Sequence, residues 1–142
     1  MARLGWTIAV YSRYMNTNPL NLALRFLLEL VMLGVIGYWG YHRFAGWQGI
    51  AAAIAFPALA AVLWGVFRIP NDPKPAPVAV PGPLRLLLEW ALFAWAVWAL
   101  EDLGYDTWAC LLAGVLVAHY LISYDRTMAM LRNKPYKGFV KP

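Results

Sequence analysis

The chain has 142 residues, of which 62% are hydrophobic and 13% charged. A soluble domain is roughly 45–50% apolar and about 25% charged, so this balance excludes a disordered chain and an ordinary soluble enzyme. A globule of this size has too little interior to hide that much apolar surface, and the chain is expected in a bilayer.

Residues 1–18 carry Leu4, Ile8, Tyr11 and Met15 at helical spacing, with Arg3 and Arg13 beside them. That pattern predicts a short interfacial helix on the cytoplasmic leaflet. A hydrocarbon core of about 30 Å needs about 20 apolar residues as helix, and four segments qualify, at about 19–41, 47–67, 83–103 and 107–124. The first span opens at Pro19 with Asn18 as its cap, since proline at a first helical position loses no needed donor. It is too long for a signal-peptide core, contains Arg25 and Glu29, and is followed by no small-residue cleavage site, so a cleaved signal is not expected. Gly49, Ala53, Pro57, Ala61 and Gly65 form a stripe of small residues on the second span, which predicts close helix packing with a bend at Pro57. Loop 68–82 follows. Six of the fourteen residues from Pro70 to Pro83 are proline, which predicts a polyproline spacer and neither helix nor sheet. Asp106 is the expected cap of the fourth span, and residues 125–142 are expected as a basic tail.

Orientation follows from lysine and arginine placement. Arg3 and Arg13 precede the first span, Arg68 and Lys74 lie between the second and third, and five basic residues from Arg126 to Lys141 follow the fourth. The two opposite connections hold only Arg43 against Glu101, Asp102 and Asp106. Both termini are therefore expected in the cytoplasm. The net charge of +5 suits a membrane surface, and nucleic acid is not expected as a partner. With Cys110 as the one cysteine, an internal disulfide, a CxxC redox pair and a cysteine-rich zinc site are excluded.

Leu24-Arg25-Phe26-Leu27-Leu28-Glu29 recurs 60 residues later as Leu84-Arg85-Leu86-Leu87-Leu88-Glu89. Two copies of a helical hairpin, related by an axis along the membrane normal, are expected from that match. The stretch Pro19 to Leu30, Gly37-Tyr38-Trp39-Gly40, Trp64-Gly65-Val66-Phe67 and the second Leu-Leu-Leu-Glu89 resemble the YrdB-like family of small bacterial four-span membrane proteins. The resemblance covers about residues 19–124. It implies an inner-membrane protein and supplies no catalytic residue.

Charges inside spans cost about 2.5–3.5 kcal/mol each near a helix centre, so the ones kept are candidates for function. Arg25, Glu29, Arg85 and Glu89 are four such residues, and His119 on the fourth span lies at similar depth, one turn from Ser123. Both arginines can snorkel toward lipid phosphates. Arginine before glutamate is the weaker i,i+4 order on an isolated helix, so the pairs expected are crossed: Arg25 with Glu89 and Arg85 with Glu29. Trp39, Tyr41, Trp47, Tyr105 and Trp108 read as an outer aromatic belt, while Trp90, Trp95 and Trp98 lie deeper on the third span.

The expected fold is all-α, an integral-membrane four-helix bundle of two pseudo-repeated hairpins. No nucleophile–base pair, phosphate loop or nucleotide fingerprint is present, so neither an enzyme nor a cofactor or metal is expected. The leading expectation is binding or transport of an ion or small molecule through Arg25, Glu29, Arg85, Glu89 and His119. The alternative is a structural or accessory membrane protein whose ion pairs only fix helix packing. Membrane lipids, a second copy of the chain and a protein docked on the basic tail are the expected partners.

Overall fold

The computed structural model describes residues 19–70 and 76–133. The interfacial helix at 1–18, the Asn18 cap, Lys74 and the tail beyond Asn133 lie outside the described residues. The elements are α1 (Pro19–Arg43), α2 (Trp47–Val66), β1 (Phe67–Arg68), β2 (Val78–Ala79), α3 (Gly82–Asp102), α4 (Asp106–Ile122) and α5 (Tyr124–Leu131). Helices α1, α2 and α3 are long and apolar enough to cross a membrane. Helix α4 meets that test only together with α5, from which it is bent by 77°. Its 17 residues reach about 26 Å at 1.5 Å each, just short of a hydrocarbon core. The chain is thus mostly helical and has the composition of a membrane protein.

The helix ends follow local chemistry. Pro19 opens α1, and Pro83 sits in the first turn of α3. Asp106 is not the cap of α4. It is the first helical residue, where its carboxylate faces the positive end of the helix dipole. Helix α3 ends in a Schellman turn: Gly104, at φ 80°, donates its N–H to Glu101 O at 2.9 Å, and Tyr105 donates to Leu100 O at 2.8 Å.

Helices α1 and α2 form a hairpin whose backbones nearly touch. A methyl group on Gly40 would lie 2.9 Å from the Ala52 carbonyl carbon, and one on Gly37 would lie 3.1 Å from Ala53 O. The expected stripe on α2 is used only in part. Gly49 is buried and Ala53 and Pro57 face Gly37, but Ala61 and Gly65 are exposed, and the seam continues through Ala60. Steps of four residues advance 400°, so such a stripe drifts about 40° per step off a straight contact. The core gathers Leu28, Met32 and Ile36 of α1, Ala60 of α2, Leu92, Phe93 and Ala96 of α3, and Leu112 and Leu116 of α4.

The far end, where α1 and α3 finish, has a polar tie. Trp39 is not a belt residue: it is buried, and its Nε1 donates to Asp102 Oδ2 at 2.8 Å. Arg43 Nε lies 3.5 Å from the same oxygen. An indole with a buried body needs such a partner for its N–H, and Asp102 supplies it. Trp39→Phe is expected to cost about 1 kcal/mol, read as a lower unfolding midpoint in detergent. Trp47 and Trp108 are exposed, as are Tyr41 and Tyr105.

The near end, where α1 and α3 begin, holds two departures from expectation. Residues 70–83 are not purely polyproline: Phe67 and Arg68 pair in parallel with Val78 and Ala79, and Val80 donates its N–H to Arg68 O at 2.9 Å. Val78, Ala79 and Val80 are a proline-free run that keeps its backbone donors. The segment after Ile122 is not simply a tail. It turns at Ser123 into α5, which seats Arg126 and Met130 against α3.

Candidate functional site

Helix α5 packs on the first turn of α3 because Gly82 has no side chain. A methyl there would collide with the carbonyl, Cα and C of Met130. Gly82 N also donates to Asn133 Oδ1 at 3.0 Å. This seat brings Arg126, four residues before Met130 on the same face of α5, over Glu89 of α3.

Glu89 is the centre of the cluster. Its side chain is 2% exposed. Oε1 accepts from Arg126 Nη2 at 2.9 Å and Arg85 Nε at 3.1 Å. Oε2 accepts from Arg126 Nη1 at 3.2 Å and the Tyr120 hydroxyl at 3.3 Å. The Arg126 contact is a two-pronged guanidinium–carboxylate pair, the strongest geometry such groups adopt. Arg25 Nη2 stands further off, 3.9 Å from Oε1.

Arg85 does not snorkel. It is buried, and its Nη1 donates to the carbonyls of Trp64 at 2.7 Å and Phe67 at 2.6 Å. The last carbonyls of α2 have no partner within their own helix, and the negative end of its dipole favours a cation there. Arg85 therefore caps α2 from α3, with its guanidinium 4.4 Å from the centroid of the Trp64 ring. Lysine cannot reproduce this planar fork. Arg85→Lys is expected to lower stability by about 1–3 kcal/mol, checked by the same unfolding midpoint.

The two sequence copies make the same local contact, Arg25 Nε to Glu29 Oε1 at 3.2 Å and Arg85 Nε to Glu89 Oε1 at 3.1 Å. The crossed pairing is half present: Arg25 reaches Glu89, but Arg85 and Glu29 form no ion pair. Burial explains why the weaker i,i+4 order is used. In low dielectric a charge takes any partner within reach, whatever its preference on a solvated helix. The copies differ in depth, since Arg25 and Glu29 are each 22% exposed whereas Arg85 and Glu89 are buried.

His119 is buried on the same side of the molecule, within electrostatic reach of Arg25, Arg126 and Glu89. Its Nδ1 has no hydrogen-bond partner. One turn on, Ser123 Oγ accepts from Asn21 Nδ2 at 3.2 Å. Four of the five expected residues, Arg25, Glu29, Arg85 and Glu89, thus join one network, with His119 beside it. Arg126, Tyr120 and Asn21 were not singled out from the sequence. The signal for Arg126 is the octet Tyr124–Leu131, in which Arg126 and Met130 share one helical face.

Trp90 and Trp98 line a groove. It opens laterally between α3 and α4, has a volume of about 590 Å³, and is walled mostly by apolar side chains such as Phe93, Leu116 and Leu121, with Glu101 and Tyr120 also in its lining. Trp95 instead packs inward against Trp39 and Phe56.

Apolar helices of spanning length, tied at one end by a buried carboxylate among arginines, give the chain the composition of a helical membrane protein. Residues 23–117 match the family described as protein of unknown function DUF2568, and the chain belongs to that family. It is also similar to the uncharacterized protein YrdB of Bacillus subtilis (strain 168), at 32% identity over 117 residues, which are 80% of this chain and 95% of the relative. No solved structure matches the chain. The family match takes in Arg25, Glu29, Arg85 and Glu89 and stops before His119 and Arg126.

Proposed function

We infer that the chain is a four-span inner-membrane protein of two helical hairpins, with both termini in the cytoplasm. Its role is structural or accessory: the charged network clamps the cytoplasmic ends of the spans. The orientation is supported by Arg68, Arg85, Arg126 and Arg132 at the near end, against Arg43 with Glu101, Asp102 and Asp106 at the far end. The broad exposure of leucine, valine and tryptophan along the spans fits contact with lipid tails.

The observation that carries the clamp is the saturation of Glu89. Its two oxygens accept four hydrogen bonds from Arg85, Tyr120 and Arg126. A carboxylate that loads and releases an ion has to exchange partners, and breaking a buried pair costs about 3–5 kcal/mol. The transport reading, through Arg25, Glu29, Arg85, Glu89 and His119, requires that exchange in every cycle.

Purified protein and its Glu89→Gln variant, compared in detergent and in proteoliposomes, separate the two. The clamp predicts a large fall in the unfolding midpoint of the variant, and wild-type ion and proton flux no higher than that of empty liposomes. A variant that keeps the wild-type midpoint yet abolishes a measurable wild-type flux would overturn the clamp.

A further inference from the structure

The α1–α4 seam carries polar groups that the clamp does not use. Two contacts fix its register: Asn21 with Ser123 at the near end, and the hydroxyls of Tyr38 and Tyr105, 3.1 Å apart, at the far end. The helices therefore run antiparallel, and four residues inward from the first contact Arg25 stands level with His119. Asn21 and His119 are each more than nine-tenths buried, yet Asn21 Oδ1 and His119 Nδ1 have no partner. A buried polar atom without a partner costs about 1–3 kcal/mol, and two of them on facing helices ask for a guest.

Arg25 says what kind of guest. It spends one N–H, at Nε, on Glu29; Nη2 stands 3.9 Å from Glu89 Oε1, and among the described residues its four Nη hydrogens make no hydrogen bond. Its side chain is 22% exposed. The network has three arginines, Arg25, Arg85 and Arg126, against two carboxylates, Glu29 and Glu89. Among the described residues of this network, Arg25 is the arginine whose Nη donors make no hydrogen bond.

We propose that Asn21, Arg25, His119 and Ser123 form a binding site for a phosphoryl oxyanion on the α1–α4 seam. The planar Nη fork of Arg25 matches two phosphoryl oxygens, and an imidazole N–H at His119 Nδ1 supplies a further donor. Inorganic phosphate or a phosphomonoester also brings a P–OH that donates to Asn21 Oδ1. A lipid phosphodiester has no such proton; it meets the Asn21 amide turned over, with the Ser123 hydroxyl donating to Oδ1 and Nδ2 facing the lipid. Arg25 lies about 9 Å along α1 from Pro19, a depth that a headgroup of the inner leaflet reaches by entering between the helices. The site shares Arg25 with the charged network but none of the four hydrogen bonds of Glu89, which come from Arg85, Tyr120 and Arg126.

The test uses the full chain purified in dodecyl maltoside, which contains no phosphorus. Inorganic phosphate is titrated and followed by ³¹P line broadening. Phosphatidylglycerol is added to the same micelles and retained copies are counted by native mass spectrometry. Saturable binding of at least one probe is expected, weakened about tenfold or more by Arg25→Gln and by His119→Phe, and unchanged by Arg43→Gln at the far end. Phosphate binding identifies a soluble ligand, and binding of phosphatidylglycerol alone identifies the lipid. Should Arg25→Gln fail to fold, Asn21→Ala and His119→Phe carry the comparison, each first shown to keep the wild-type unfolding midpoint without ligand. The proposal is overturned if neither probe binds saturably, or if the folded site variants bind as well as wild type.

Discussion

Glu89→Ala is expected to be the most damaging single substitution in the chain, lowering stability by about 3–5 kcal/mol. The loss is not that of one favourable contact. Alanine removes the carboxylate that Arg126 and Arg85 share, and it leaves two buried guanidiniums close together. Tyr120 also loses the acceptor for its hydroxyl. Glu89→Gln keeps the shape and two acceptor lone pairs, so it should cost less than Ala while remaining well below wild type. Reversible unfolding in detergent gives the order. A Glu89→Ala protein within about 0.5 kcal/mol of wild type would mean that the arginines find other partners at no cost.

Gly82→Leu is expected to have the next largest effect, through a different route. The colliding atoms belong to the Met130 backbone, so no side-chain rearrangement relieves the contact. Overpacking of this kind costs about 1–3 kcal/mol, and here it falls on the seat of α5 alone. Helix α5 should lift, taking Arg126 away from Glu89 and exposing it. Trypsin reports this directly. In the wild type, cleavage is expected after the exposed Arg132, with the buried Arg126 protected. In Gly82→Leu, cleavage after Arg126 should become rapid while α1 to α4 stay intact. Unchanged protection of Arg126 would show that α5 is not held by this contact.

The spans were legible because a bilayer imposes one strong requirement, a long apolar helix, and hydropathy reads it directly. Where the third span is expected, at about 83–103, the structure has the helix Gly82–Asp102, and where the second is expected, at about 47–67, the helix Trp47–Val66. Pro19 marked the start of α1 for a local reason that needs no tertiary knowledge. The site was legible only in its members. Arg25, Glu29, Arg85 and Glu89 stood out because charge in a span is expensive, but their partners depended on packing. Arg85 turned to the carbonyls of Trp64 and Phe67, which no pattern in α3 could announce.

Arg126 was hidden for a related reason. In one dimension it belongs to a run of basic residues after the last span, and such runs ordinarily face water and lipid headgroups. The 77° turn at Ser123 folds it back under α3, and only then does it meet Glu89. Trp39 was misread likewise. Its position near a span end suits an aromatic belt, but Asp102 lies across the helix interface and draws the indole inward.

The central claim is that Glu89 and Arg126 form a working tie between α3 and α5. A double-mutant cycle of Glu89→Gln, Arg126→Gln and the pair, followed by unfolding in detergent, measures that tie and nothing else. A coupling energy of about 1–3 kcal/mol is expected, with the double variant less damaged than the two single effects combined. Single effects that simply add, to within about 0.5 kcal/mol, would contradict it.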